Sequence, residues 1–183
     1  MRRLAVVVVV ALCIVLARAN ADDDREAAGK AGFMTLYRVL QSPRCRNCHP
    51  AGEAPLQFDD GRPHAMNITR RSERNGVACA TCHRDKNGTR PGQPPGAPNW
   101  KLPPADMPMV FEGRSPRQLC EQLKDPAQTK GRDIPALIEH VAKDELVGWG
   151  WAPGVGRTPV PIPRDQVTAA MKTWSGAGAP CPE

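Results

Sequence analysis

With 183 residues, twenty prolines and only 4% aromatic side chains, the chain has length for one ordinary domain but little material for a conventional apolar interior. From Asp22 onward, Leu, Ile, Val and Phe supply 23 of 162 residues, below the roughly 20% under which chains struggle to build a core. The formal charge of +6 falls to +3 once Arg2, Arg3 and Arg18 are set aside, so the basic balance gives no support for nucleic-acid binding.

Residues 1–21 read as a secretory signal peptide. Arg2 and Arg3 form the positive end, Leu4 to Ala17 is apolar, and Ala19-Asn20-Ala21 offers a small-x-small cleavage site. Fourteen apolar residues fall short of the roughly 20 that span a bilayer, so cleavage is expected to leave no stable membrane insertion. Residues 22–183 are then a single domain delivered to the periplasm. Asp22 to Gln41 is predicted to be a helix, with acidic residues at its start and Phe33, Leu36, Tyr37 and Leu40 on one face.

That helix leads into Cys45-Arg-Asn-Cys48-His49, which recurs as Cys79-Ala-Thr-Cys82-His83. Two Cys-x-x-Cys-His copies are the signature of covalent haem c attachment. Two residues between the cysteines let both sulfurs bond one edge of a porphyrin, and the adjoining histidine turns beneath it to ligate iron. Cys45, Cys48, Cys79 and Cys82 are therefore expected to anchor two haem c groups, with His49 and His83 as proximal iron ligands. Paired Cys-x-x-Cys knuckles also occur in structural zinc sites. The thirty-residue spacer from Cys48 to Cys79, the histidine after each pair and the export signal all favour haem.

The chain holds four histidines, against four axial positions on two irons. His64 and His140 are left as candidate distal ligands that would make both irons bis-histidine. His64 falls in a basic stretch with Arg70, Arg71 and Arg74, read as a loop. Order in the sequence does not say which iron each one serves. Met66, Met107 and Met109 are the rival distal ligands; a thioether there would raise the reduction potential.

Further along, Pro91 to Pro104 is a proline-rich loop, and a short helix is expected from Ser115-Pro116 through Leu119 and Leu123. A second helix has Asp133 as its cap and Pro135 in its first turn, with His140 flanking an apolar stripe of Ile134, Leu137, Ile138 and Val141. Val147 to Pro163 reads as loop; its Trp149 and Trp151 either pack or form a docking patch. The last helix, Arg164 to Trp174, aligns Val167, Ala170, Met171 and Trp174. No strand pattern stands out. The fold class is mainly α with much irregular loop, organised around the haems with little or no sheet. Cys13 lies in the signal, which leaves Cys120 and Cys181 to pair as a structural disulfide in an oxidising compartment.

The two haem motifs, Pro95-Gly-Ala-Pro-Asn-Trp100, Lys124-Asp-Pro126 and the segment Leu146-Val-Gly-Trp-Gly-Trp-Ala-Pro-Gly-Val-Gly-Arg157 together resemble small bacterial dihaem proteins labelled isoquinoline 1-oxidoreductase subunit. The resemblance implies a periplasmic electron carrier whose redox partner is a molybdenum hydroxylase or another cytochrome. Electron transfer is accordingly the expected function. The alternative is a dihaem enzyme, peroxidase-like or nitrogen-oxide reductase-like, with one open haem site. Against it, no further histidine is available as a general base.

Overall fold

In the computed structural model the backbone is described from Arg2 to Glu183 and the side chains from Arg18 onward. Met1 and the side chains of the expected signal through Ala17 lie outside the described residues. The first helix, α1, spans Arg2–Leu40 and so begins well before the expected Asp22. Alanine-rich sequence around the junction, with no Gly or Pro before Gly29, gives it no reason to stop there. Among the described residues no helix is long and apolar enough to cross a membrane.

Phe33, Leu36, Val39 and Leu40 form the buried face of α1, which lies against α6 (Arg164–Gly176). Val167, Met171 and Trp174 face it from α6 at matching helical spacing. Gly32 sets how closely the two helices approach: a Cβ there would stand 2.6 Å from the Ala170 carbonyl oxygen. Without one, the Phe33 and Trp174 rings meet at a centroid distance of 5.2 Å.

Short helices complete this layer. After α2 (Pro43–Arg46), which carries the start of the first Cys-x-x-Cys-His motif, come α3 (Pro116–Lys124) and α4 (Ile134–Lys143). Their starts are fixed by side chains. Ser115 Oγ accepts from the Gln118 amide while Gln118 Oε1 accepts from the Ser115 amide, and Asp133 accepts from Ala136. Leu119, Cys120 and Leu123 of α3 are buried, and a disulfide from Cys120 to Cys181 ties α3 to the C-terminal tail. The tail is also held by Lys124 Nζ on the Ala179 carbonyl and Trp174 Nε1 on the Pro180 carbonyl.

The 147–163 stretch is more ordered than expected at its start. Asp144 caps a turn of helix, α5 (Glu145–Gly148), which runs into a 3-10 turn over Trp149–Trp151. A two-stranded antiparallel ladder, β1 (Leu56–Gln57) with β2 (Arg62–Pro63), pairs Leu56 with Pro63. The architecture is mainly α. Its core is unevenly distributed: between residues 51 and 110 only Pro55 and Ala97 are buried apolar side chains, whereas Phe58, Met66 and Val77 of that stretch are exposed.

Candidate functional site

The two cysteine motifs fold alike. In the first, the Cys48 amide donates to the Cys45 carbonyl at 3.2 Å; in the second, Cys82 donates to Cys79 at 3.2 Å. Such a turn puts both sulfurs of a pair on one side, three residues apart, and carries the following histidine around. Ser42 caps α2 by accepting from the Arg44 amide, so the first turn is anchored directly below the end of α1.

Each motif histidine is held by a distant loop. His49 Nδ1 donates to the Met109 carbonyl at 2.8 Å, and its ring stacks on Phe111 at 3.9 Å and 14°. The Phe111 amide returns a bond to the His49 carbonyl, while Gln41 Nε2 holds the Phe111 carbonyl. His83 repeats the arrangement: Nδ1 donates to the Pro95 carbonyl at 2.8 Å, and the ring stacks on Trp100 at 4.6 Å and 4°. Because a carbonyl only accepts, Nδ1 carries the proton in both rings and the lone pair is left on Nε2.

The remaining two histidines also turn Nδ1 to an oxygen. His64, at the start of a 3-10 turn over Ala65–Asn67, uses the Ala65 carbonyl at 2.7 Å; His140 faces Asp144 Oδ2 at 3.4 Å. Among the described residues none of the four Nε2 atoms has a hydrogen-bond partner. His64 and His83 stand 6.1 Å apart between ring centroids. Two imidazoles on opposite sides of one metal, with bonds of about 2 Å and about 1 Å more to each ring centre, need a span of roughly 6 Å.

Burial dominates the electrostatics. It pulls His49 down to about 4, with Arg70 and His140 adding to the effect and the Met109 bond opposing it. His83 and His140 are also held below their ordinary value, chiefly by burial. Neutral imidazole is the form that ligates metal. Burial likewise pushes the Cys45 thiol up to about 12 and Cys48 to about 11.

Aromatic contacts join the two sites. Beyond His83 and Trp100, Trp149 meets Trp100 edge-on at 4.9 Å, and the Arg44 guanidinium, next to Cys45, lies 5.5 Å from the Trp149 ring. Asn87 is the knot of this region: its Oδ1 accepts from Trp149 Nε1 and the Gly96 amide, and its Nδ2 donates to the Ala152 carbonyl. Gly96 is essential to it, since a Cβ would stand 2.3 Å from the carbonyl oxygens of both Arg84 and Lys86. Trp151 donates to the Ile162 carbonyl and packs on the helical core, so both tryptophans serve packing.

The methionine rivals are differently engaged. Met66 is 81% exposed, and Met107 Sδ accepts from the Lys130 amide. Met109 supplies its carbonyl to the Nδ1 side of His49 and packs its side chain on the core. Among the described residues no three His, Cys, Asp or Glu side chains converge as a metal cage requires, so the four motif thiols do not form a zinc-type cluster. An iron porphyrin asks the protein for only two axial atoms. Sequence reasoning missed Phe111, Asn87 and Gly96. The Pro95-Gly96 turn signal marks one of them, and Asn87 has no signal at all. No family model, curated protein or solved structure matches this chain.

Proposed function

We propose that the protein is a periplasmic dihaem c-type cytochrome that passes single electrons between redox partners. The observation that carries this reading is the orientation of the histidine rings: Nδ1 of His49, His64 and His83 is hydrogen-bonded to a backbone carbonyl, and that of His140 faces Asp144 Oδ2 at 3.4 Å, which leaves Nε2 of each ring as the ligand atom. Cys45 and Cys48 would hold one haem with His49, and Cys79 and Cys82 the other with His83. His64 would join His83 in holding the second haem, on the strength of their 6.1 Å separation. His140 is left for the iron of His49.

Haem supplies a reversible one-electron change at iron with little change in bonding when both axial positions are filled. The chain's own residues set the conditions for it. Carbonyl acceptors on Nδ1 make His49 and His83 more basic donors and fix their orientation. Phe111 and Trp100 hold the ring planes by stacking, which limits movement on gain or loss of an electron. The partner is a second redox protein, a molybdenum hydroxylase or another cytochrome, touched transiently through a modest area.

The test is expression with haem-maturation machinery, followed by intact mass and absorption spectra. Two haems per chain, low-spin spectra in both oxidation states and no carbon monoxide binding after reduction are expected. A colourless product of unmodified mass would end the reading. Carbon monoxide binding would instead favour the open-site enzyme.

A further inference from the structure

The two motifs differ sharply in exposure. Arg44 and Asn47 around the first are buried, and Cys45, Cys48 and His49 are all partly covered. Around the second, Cys79 and His83 are partly covered as well, but Ala80, Thr81, Cys82 and Arg84 are exposed. Charge follows the same division. From Arg70 to Lys101 there are seven basic residues and two acidic ones, a net +5 out of +6 for the whole chain. The remainder from Asp22 onward carries 15 basic and 17 acidic residues, a net −2.

Most of these cations have no structural use. Arg70 is turned inward, onto the carbonyls of Pro103 and Pro50, and Arg71 faces Glu53. Arg74, Arg84, Lys86, Arg90 and Lys101 are exposed and form no ion pair among the described residues. Like charges gathered on one segment repel each other, so folding alone gives no reason for the cluster. A positive surface around an exposed redox site does have a use: it draws in and orients a negatively charged partner where tunnelling is shortest.

We infer that the surface formed by Arg74, Arg84, Lys86 and Arg90 around Cys79–His83 is the docking face for an acidic redox protein, and that electrons enter and leave through the second site. This rests on the dihaem reading above. The first site is the inner one, reached through the second. Oxidation by an external anion balances simply: one electron leaves the reduced protein for hexacyanoferrate(III), which becomes hexacyanoferrate(II), and no atom is transferred.

The experiment uses the full chain with both haems verified by mass and spectrum. Hexacyanochromate(III), a redox-inert paramagnetic anion, is titrated against the isotope-labelled protein, and amide broadening is read by NMR. Broadening is expected over residues 74–90 and should fade near 0.5 M salt, where the screening length falls to a few Å, about 3 Å at 1 M. The variant carrying Arg74→Glu, Arg84→Glu, Lys86→Glu and Arg90→Glu should lose the broadening with its absorption spectrum unchanged. Its oxidation by hexacyanoferrate(III) at low salt should slow by about tenfold or more, while oxidation by a cationic cobalt(III) complex speeds up. A control reverses four exposed charges elsewhere: Arg38, Arg114, Lys130 and Lys172 to Glu. Equal losses in the control, or broadening centred on another face, would overturn the docking face. Absence of haem would instead sink the underlying dihaem reading, and the broadening map would still decide where the anion binds.

Discussion

An imidazole ligates metal through one lone pair, and the contact made by its other nitrogen decides where that pair sits. His49 and His83 are committed by carbonyls sixty and twelve residues away, which no local pattern announces. The motif itself was legible in the sequence, and so was the count of four histidines; the approach of His64 to His83, on which the proposed pairing rests, was not, because the loops bring the two rings to within 6.1 Å. This pairing makes a divided expectation. His64→Ala should give a high-spin component at the haem of the second motif only, and His140→Ala at that of the first. Electron paramagnetic resonance with site-specific loss of Cys45/Cys48 or Cys79/Cys82 tells the two apart, and added imidazole should restore the low-spin signal. Both variants staying low-spin would remove the ligand assignment. Gly96→Ala probes the carbonyl clamp. Its methyl would collide with two backbone oxygens at 2.3 Å, which do not swing away as a side chain would, so the Pro95 carbonyl must withdraw from His83. A weaker Nδ1 hydrogen bond makes a poorer donor to iron, so one of the two midpoint potentials should rise while the other holds. Equal movement of both in a redox titration would speak against a local clamp.

Helices were the most readable elements because their ends are written in side chains. Ser115 with Gln118 and Asp133 with Pro135 mark α3 and α4 to within a residue, and the apolar spacing of α6 marks its buried face. The start of α1 and the short α5 were not read: the first lacks a stop signal, and the second depends on Asp144 capping a single turn between tryptophans. What joins the helices was also invisible. Gly32 looks like an ordinary helix-weakening residue in sequence, yet in three dimensions it faces the α6 backbone with no room for a Cβ. Gly32→Val should destabilise the protein by about 1–3 kcal/mol through overpacking against the Ala170 carbonyl, seen as a lower urea midpoint with an unchanged slope. The disulfide acts at the other end of the same layer. Replacing both Cys120 and Cys181 by Ser opens a loop of 61 residues, for a loss of about 4 kcal/mol in the chain-entropy model. Haem spectra should stay as they were, because the bridge joins α3 to the tail and touches neither motif.

Over the whole molecule, the shortage of apolar residues that composition reveals is not evenly shared. The helices α1, α3, α4 and α6 bury Phe33, Leu36, Leu119, Leu137, Met171 and Trp174 in one cluster that Phe111 and Val160 join from loops, closed by a disulfide, and most of the buried apolar side chains lie there. Residues 51–110 bury only Pro55 and Ala97 among apolar side chains, with Phe58, Met66 and Val77 left outward and two residue pairs of strand ladder, two 3-10 turns and loop hydrogen bonds to order the backbone. A stretch of sixty residues held by so few buried groups cannot offset its own chain entropy, which runs at about 1–2 kcal/mol per residue. Two flat apolar macrocycles seated against Cys45–His49 and Cys79–His83 would supply the missing surface, at about 25 cal/mol for each Å² removed from water. Composition alone suggests that the whole cofactor-free chain fails to fold, but the distribution of the core divides that expectation in two. In hydrogen exchange followed by mass spectrometry, the haem-free protein should protect α1 from about Phe33 onward together with α3, α4 and α6, while residues 51–110 exchange at nearly unfolded rates. Loading both haems should bring protection to 51–110 and add little to the helices. Equal protection of both regions without haem would show that the loops carry their own stability, and the cofactors would then be lodged in the fold without completing it.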